Sequence, residues 1–171
     1  MVIDEDYDLM RQLLPEEIPP TLGRVMGKQK VIVIMSPAQQ ALYQPLVKAL
    51  GIANFTVIAP TDVTFTQVKE NSVLIAGFET EILDMLFGKQ TVPDDGVRVV
   101  VHNHPYHNQE VIVLLHAQNA EEVKSVTRRL SHYGKYSVLA FTQGRNTEKA
   151  ITPSHNGISL LTRSPTHALQ P

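Results

Sequence analysis

The chain has 171 residues, 43% of them hydrophobic and 19% charged, a size and balance that fit one globular domain whose core needs no covalent staple. A total of 15 Lys and Arg against 17 Asp and Glu leaves a formal charge of −2, which supplies no general attraction for nucleic acid phosphates or anionic lipid. The absence of cysteine excludes disulfides, thiolate metal ligands and cysteine nucleophiles, and no apolar run approaches the ~20 residues that a membrane-spanning helix requires.

The chain begins Met1-Val2-Ile3-Asp4-Glu5-Asp6-Tyr7-Asp8, acidic where a secretory signal has a basic start and an apolar stretch. No export signal is expected in this segment, and the compartment stays open because a longer parent chain could be cytoplasmic or exported. Residues 1–29 are polar and turn-prone. Pro15, Pro19 and Pro20 break any long helix and leave room for a short one over residues 8–14. Leu9, Leu13, Leu14, Ile18 and Leu22 need burial, so this lead-in arm is expected to lie on the domain formed by residues 30–162.

From residue 31 the run Val31-Ile32-Val33-Ile34-Met35 has the continuous apolar character of a strand buried on both faces. Ser36, Pro37 and Gln39 then form a helix start with a capping box, and Gly51 stops a helix over residues 37–50. Ala38, Ala41, Leu42, Leu46 and Leu50 are its expected buried stripe, with Pro45 expected to kink or divide it. A strand over 55–59, a short helix over 64–71 and a strand over 72–76 closed by Gly77 complete an alternation typical of a doubly wound sheet.

A helix over 79–87 ends at Gly88, and a turn-rich loop leads to strands over 97–102 and 111–117. The eight or so residues between those two strands are too few for a parallel crossover, so an antiparallel edge is expected. Asn119 and Glu122 suggest a capping box for a helix with Val123, Val126 and Leu130 on one face and Arg128 and Arg129 at its negative end. Short strands over 137–142, 147–152 and 158–161 follow, joined by turns at residues 143–146 and 156–157, and residues 163–171 read as a flexible tail. The predicted fold is a three-layer α/β domain around a doubly wound mixed sheet, mainly parallel with an antiparallel edge, flavodoxin- or Rossmann-like in type.

The chemical signals are sparse. The turn Met35-Ser36-Pro37-Ala38 lacks the glycines of a dinucleotide or phosphate loop, and Pro37 removes a donor, so no nucleotide cofactor is expected. The sequence has neither the His-Glu-x-x-His of zinc peptidases nor the Gly-x-Ser-x-Gly of serine hydrolases. His102, His104 and His107 lie close together, and His102 and His104 share a face if the segment is extended. They read first as turn residues, and as metal ligands in the alternative of a free-standing small-ligand or metal-binding protein. His132, Tyr133, Lys135 and Tyr136, with Arg145 further on, offer a polar and aromatic patch. The competing reading of that patch is a helix C-cap at Gly134 with both tyrosine rings packed inward. The loops after Met35, Ala59 and Gly77 border the crevice where open α/β sheets hold ligands.

Two stretches carry a resemblance. Asp4 to Leu13 with Pro15-Glu16-Glu17-Ile18-Pro19-Pro20-Thr21-Leu22, and Leu130-Ser131-His132-Tyr133-Gly134-Lys135-Tyr136-Ser137 with Gly144-Arg145-Asn146, together resemble the C-terminal region of bacterial proteins of the membrane alanyl aminopeptidase type, the gluzincin zinc metallopeptidases. The resemblance implies an accessory or interaction domain, not catalytic itself, whose partner is the peptidase domain of the same chain. It implies zinc in that parent domain and none in this segment. The peptidase's zinc-binding helix and amine-recognition segment have no counterpart in this sequence, so no catalytic residue is transferred. His132, Tyr133, Lys135, Tyr136 and Arg145 then stand as a contact patch.

Overall fold

The computed structural model describes residues 17–77, 81–91 and 93–154. Among them the strands are β1 (Val31–Ile34), β2 (Phe55–Ile58), β3 (Val73–Ala76), β4 (Val97–Asn103), β5 (Val111–Ala117), β6 (Val138–Thr142) and β7 (Arg145–Ala150). The helices are α1 (Pro37–Ala49), α2 (Phe65–Glu70), α3 (Glu81–Phe87) and α4 (Ala120–Leu130). The strands form one sheet in the order β2-β1-β3-β5-β4-β6-β7. β2, β1, β3 and β5 are parallel neighbours, and β4 is antiparallel to both β5 and β6, as β7 is to β6. The expected mixed α/β sheet is present. Within the antiparallel part, β5 lies beside β3 and β4 beyond it.

That order follows from side-chain burial. Val111 to Leu115 are all buried, with Val111, Val113 and Leu115 in the core on one face and Ile112 and Leu114 in the core on the other. A strand apolar on both faces is stable only between layers. β4 alternates instead: Val97, Val99 and Val101 are buried while Arg98, Val100 and His102 are half-buried. Its second face tolerates the thinner cover of that side.

The first face is covered by α1, α4 and the segment containing Leu22 and Val25. The second is covered by α2 and α3 through Val68, Ile82 and Leu83. Three layers result. α1 is one continuous helix with Pro45 inside it, and its buried side chains are Tyr43, Leu46 and Val47. The expected stripe is therefore rotated, since Ala38 and Ala41 are exposed. The cause is that α1 wedges against α4 as well as the sheet, and Tyr43 reaches inward so that its hydroxyl accepts the Ala117 N–H at 3.2 Å.

Both predicted starts of the long helices hold, with one difference. Ser36 and Gln39 form the reciprocal capping box of α1. Asn119 caps α4 by accepting the N–H groups of Glu121 and Glu122, at 3.1 and 3.0 Å, but Glu122 does not return the bond. Its carboxylate instead accepts the Gln143 N–H at 2.9 Å, tying α4 to the β6–β7 hairpin. That hairpin turns through Gln143 and Gly144 alone, with φ of 50° and 69°, the two positive angles a tight two-residue turn demands. β7 therefore starts at Arg145, two residues before its expected position. The expected strand over 158–161, the helix over 8–14 and the tail at 163–171 lie outside the described residues.

Candidate functional site

The patch begins where α4 runs into a 3-10 turn, Ser131–Tyr133, before the chain enters β6. The Tyr136 N–H closes this bend on the Tyr133 carbonyl at 3.1 Å. Tyr133 sets its ring edge-on to Phe141 at 5.2 Å and lies 6.0 Å from the Tyr136 ring. Both tyrosines are half-buried, while His132 and Lys135 are exposed. Lys135 and Lys149 hold their ammonium groups 5.2 and 5.9 Å from the centre of the Tyr136 ring.

The same bend receives residues 22–23 of the lead-in arm. The Leu22 N–H donates to the Tyr136 carbonyl at 2.9 Å and the Gly23 N–H to the Gly134 carbonyl at 2.6 Å. A Cβ on Gly23 would stand 3.0 Å from the Gly134 oxygen, and one on Gly134 would stand 3.3 Å from the Met26 sulfur. Gly134 has φ −53°, so it serves the close approach of two backbones and not a left-handed helix cap. Leu22, the last residue of the first stretch that carries the sequence resemblance, is thus bonded to Tyr136 in the second.

Arg145 is exposed but stands apart from the rest. It opens β7 opposite Thr142, whereas Val138, beside Tyr136 and Ser137, pairs with Ala150 at the other end. At ~3.3 Å per residue the ladder separates Arg145 from the tyrosine bend by about 15 Å. His132, Tyr133, Lys135 and Tyr136 form one surface, and Arg145 belongs to the hairpin tip beside α4.

The histidine cluster runs from His102 near the end of β4 into the loop after it, and its members have separate duties. His104 is buried. Its Nδ1 accepts the Tyr106 N–H at 3.1 Å, which puts the proton on Nε2, and that group donates to the Val68 carbonyl at 2.6 Å. Both ring nitrogens are used, leaving no lone pair for a metal ion. His102 stacks on Phe87 at 4.4 Å with its Nε2 buried. The His107 ring is 6.4 Å from that of His104. Burial lowers the pKa of His102, and burial lowers that of His104 against the opposing pull of the Val68 carbonyl. Among the described residues, no group of three or more His, Asp or Glu side chains is placed to hold a metal.

Beside this loop lies a network that the sequence did not announce. Glu110 accepts from Lys28 and from the Ser72 hydroxyl, while Arg24 donates to the Asn103 side chain at 3.0 Å and to the Asn108 carbonyl at 2.8 Å. Burial pushes the Glu110 carboxyl up, but its bonds to Lys28 and Ser72 outweigh that and hold it below the ordinary value. The partners lie 79 to 84 residues apart for the arm and 38 apart for Ser72, separations that carry no sequence pattern.

At the carboxyl ends of the parallel strands, the Gln39 amide leans over Gly77, so that a Cβ there would meet it at 2.8 Å. The Gly77 N–H is bonded to the Leu115 carbonyl at 2.8 Å. Past Ala59 the chain turns tightly, with the Asp62 N–H on the Ala59 carbonyl at 2.9 Å. A more open feature lies between α1 and α4, a groove of about 260 Å³ with Ala41, Leu42, Pro45 and Val123 along its floor and Lys124 and Arg128 on its rim.

No family model matches the chain, and no curated protein matches it. No helix among the described residues is long and apolar enough to cross a membrane.

Proposed function

We propose that the chain is a non-catalytic interaction domain, and that it serves as a C-terminal accessory domain of a zinc aminopeptidase-like protein with the peptidase domain as its partner. The observation that carries the first part is how the candidate polar groups are spent. His104 has both nitrogens bonded, Glu110 is held by Lys28 and Ser72, and Tyr133 packs on Phe141. A general acid or base needs a titrating group free to reach a substrate, and these groups hold the fold instead. The exposed remainder, His132 and Lys135 beside the half-buried Tyr136, suits contact with another surface.

Support for the peptidase association is the resemblance of the two stretches, with the bond from Leu22 of the first to Tyr136 of the second. The backbone bonds between residues 22–23 and 134–136 fix where the chain leads onto the sheet.

The test is the size of the native product, read by immunoblot with an antibody raised against this domain. A band several times larger than 19.0 kDa, with peptidase activity that changes when Lys135→Glu and Tyr136→Ala are introduced together, is the expected result. A native band at 19.0 kDa overturns the accessory reading. Calorimetric titration with zinc separates the metal-binding alternative: no stoichiometric binding is expected, and tight binding lost in His104→Ala would establish a metal-binding protein in place of an interaction domain.

A further inference from the structure

The sheet ends in two edges among the described residues, and they are built differently. β7 carries Arg145, Glu148 and Lys149, its pairing with β6 is irregular between Ala140 and Phe141, and Glu148 is bridged to Arg98 at 2.9 Å. Charges and irregularity are the usual means by which a protein keeps an edge strand from pairing with another chain. β2, at the opposite side, has none of them. It reads Phe55-Thr56-Val57-Ile58, without charge, glycine or proline, and its register with β1 is regular throughout. All four residues are aromatic or β-branched, the types that best suit a strand. Thr56 and Val57 are exposed, Val57 by 38%. Brevity does not mark β2 as a protected edge, because the central β1 and β3 are also four residues long.

We infer that β2 pairs antiparallel with β2 of a second copy of this chain, joining the two sheets across a two-fold axis. The strand complements itself. Phe55 packs with the core under α1 and Ile58 with the core under α2, so residues 55 and 57 share one face and 56 and 58 the other. A two-fold axis perpendicular to the sheet keeps like faces together, so opposed residues must share a face. An axis at Val57 sets it against its own counterpart and Thr56 against the second copy's Ile58, pairs of β-branched side chains with no charge to repel. The same operation at β7 would bring like charges together. A four-residue ladder buries less than the ~800 Å² per partner of a standard interface, so the dimer is weak and reversible.

This inference is independent of the proposed function, since either an accessory domain or a free-standing protein could dimerise so. Sedimentation equilibrium of the whole chain, from micromolar to millimolar concentration, tests it. The mass is expected to rise from 19.0 kDa toward twice that value. Val57→Lys and, separately, Thr56→Lys should hold it at 19.0 kDa with unchanged circular dichroism, while Ala41→Lys in the α1–α4 groove should leave association intact. In the unaltered chain, hydrogen exchange should show the β2 amides gaining protection with concentration, which keeps the question decidable if a strand variant fails to fold. A constant mass with β2 exchange independent of concentration overturns the inference. So does association that survives both strand variants, or that is lost in Ala41→Lys, which would assign the contact to the groove.

Discussion

His104 shows how one side chain's surroundings set both its role and its pH response. Its buried ring bridges the β4–β5 loop to the last turn of α2 through Tyr106 and Val68. His102 and His104 both have pKa values lowered from 6.5 by burial, so the unfolded chain takes up protons more readily than the folded one. Their contribution to stability is complete above 6.5 and is lost as pH falls through that value toward the depressed ones. Glu110, lowered from 4.5, stabilises above that value and loses its contribution as pH falls through its folded pKa. Thermal unfolding followed from about pH 7.5 to about pH 5 should show a falling midpoint, with the slope reduced in His104→Gln. His104→Ala should cost about 2–3 kcal/mol in urea unfolding, because the Val68 carbonyl and Tyr106 N–H lose a buried partner. Gly96 gives a steric counterpart. It takes φ 69° where β4 begins, and a Cβ there would lie 2.0 Å from the Phe141 oxygen. Gly96→Ala is expected to destabilise by roughly 2–4 kcal/mol in the same assay. The glycines are visible in the sequence, but the backbones that crowd Gly23, Gly96 and Gly134 are not.

Helices and strands are legible to the extent that local chemistry sets them. The Ser36–Gln39 box, the Asn119 cap and the apolar runs of β1, β3 and β5 act within a few residues, and each lies where the sequence places it. Local pattern does not give the direction a side chain faces when two surfaces compete for it. Spacing predicts one buried stripe for α1, yet the contact with α4 turns Tyr43 and Val47 inward and leaves Ala41 and Pro45 exposed. Pro45 remains a local liability, since it gives no N–H to the Ala41 carbonyl inside a continuous helix. Pro45→Ala should raise stability by about 1–3 kcal/mol, seen as a higher Tm, because the exposed site tolerates the change and the helix bond is restored. Glu122 shows the same limit in polar form: spacing predicts a capping box, but the carboxylate reaches the Gln143 N–H, 21 residues away.

Across the whole molecule, the sheet order decides which surfaces exist. Insertion of β5 between β3 and β4 puts a seven-residue strand buried on both faces at the centre and moves the alternating β4 outward. The charged β7 and the uncharged β2 become opposite edges. Of the candidate patch, the sequence groups five residues by proximity and type. Four of them share the bend after α4, and Arg145 is carried to the far end of the β6–β7 ladder by the two-residue turn.

Length, composition and local pattern by themselves determined an α/β domain without disulfides, the position of its helices and most of its strands, and the lack of a dinucleotide loop. These depend on burial periodicity and on bonds closed within four or five residues, which the order of side chains encodes directly. Only the tertiary structure decided that the arm is clasped at Gly134 and Tyr136, that Glu110 is shared by Lys28 and Ser72, that His104 is fully bonded, and which strands lie at the edges. Each of these joins groups far apart in the chain. Their meeting is fixed by how the two faces of the sheet fill, a property of the packed whole that no short stretch of residues contains.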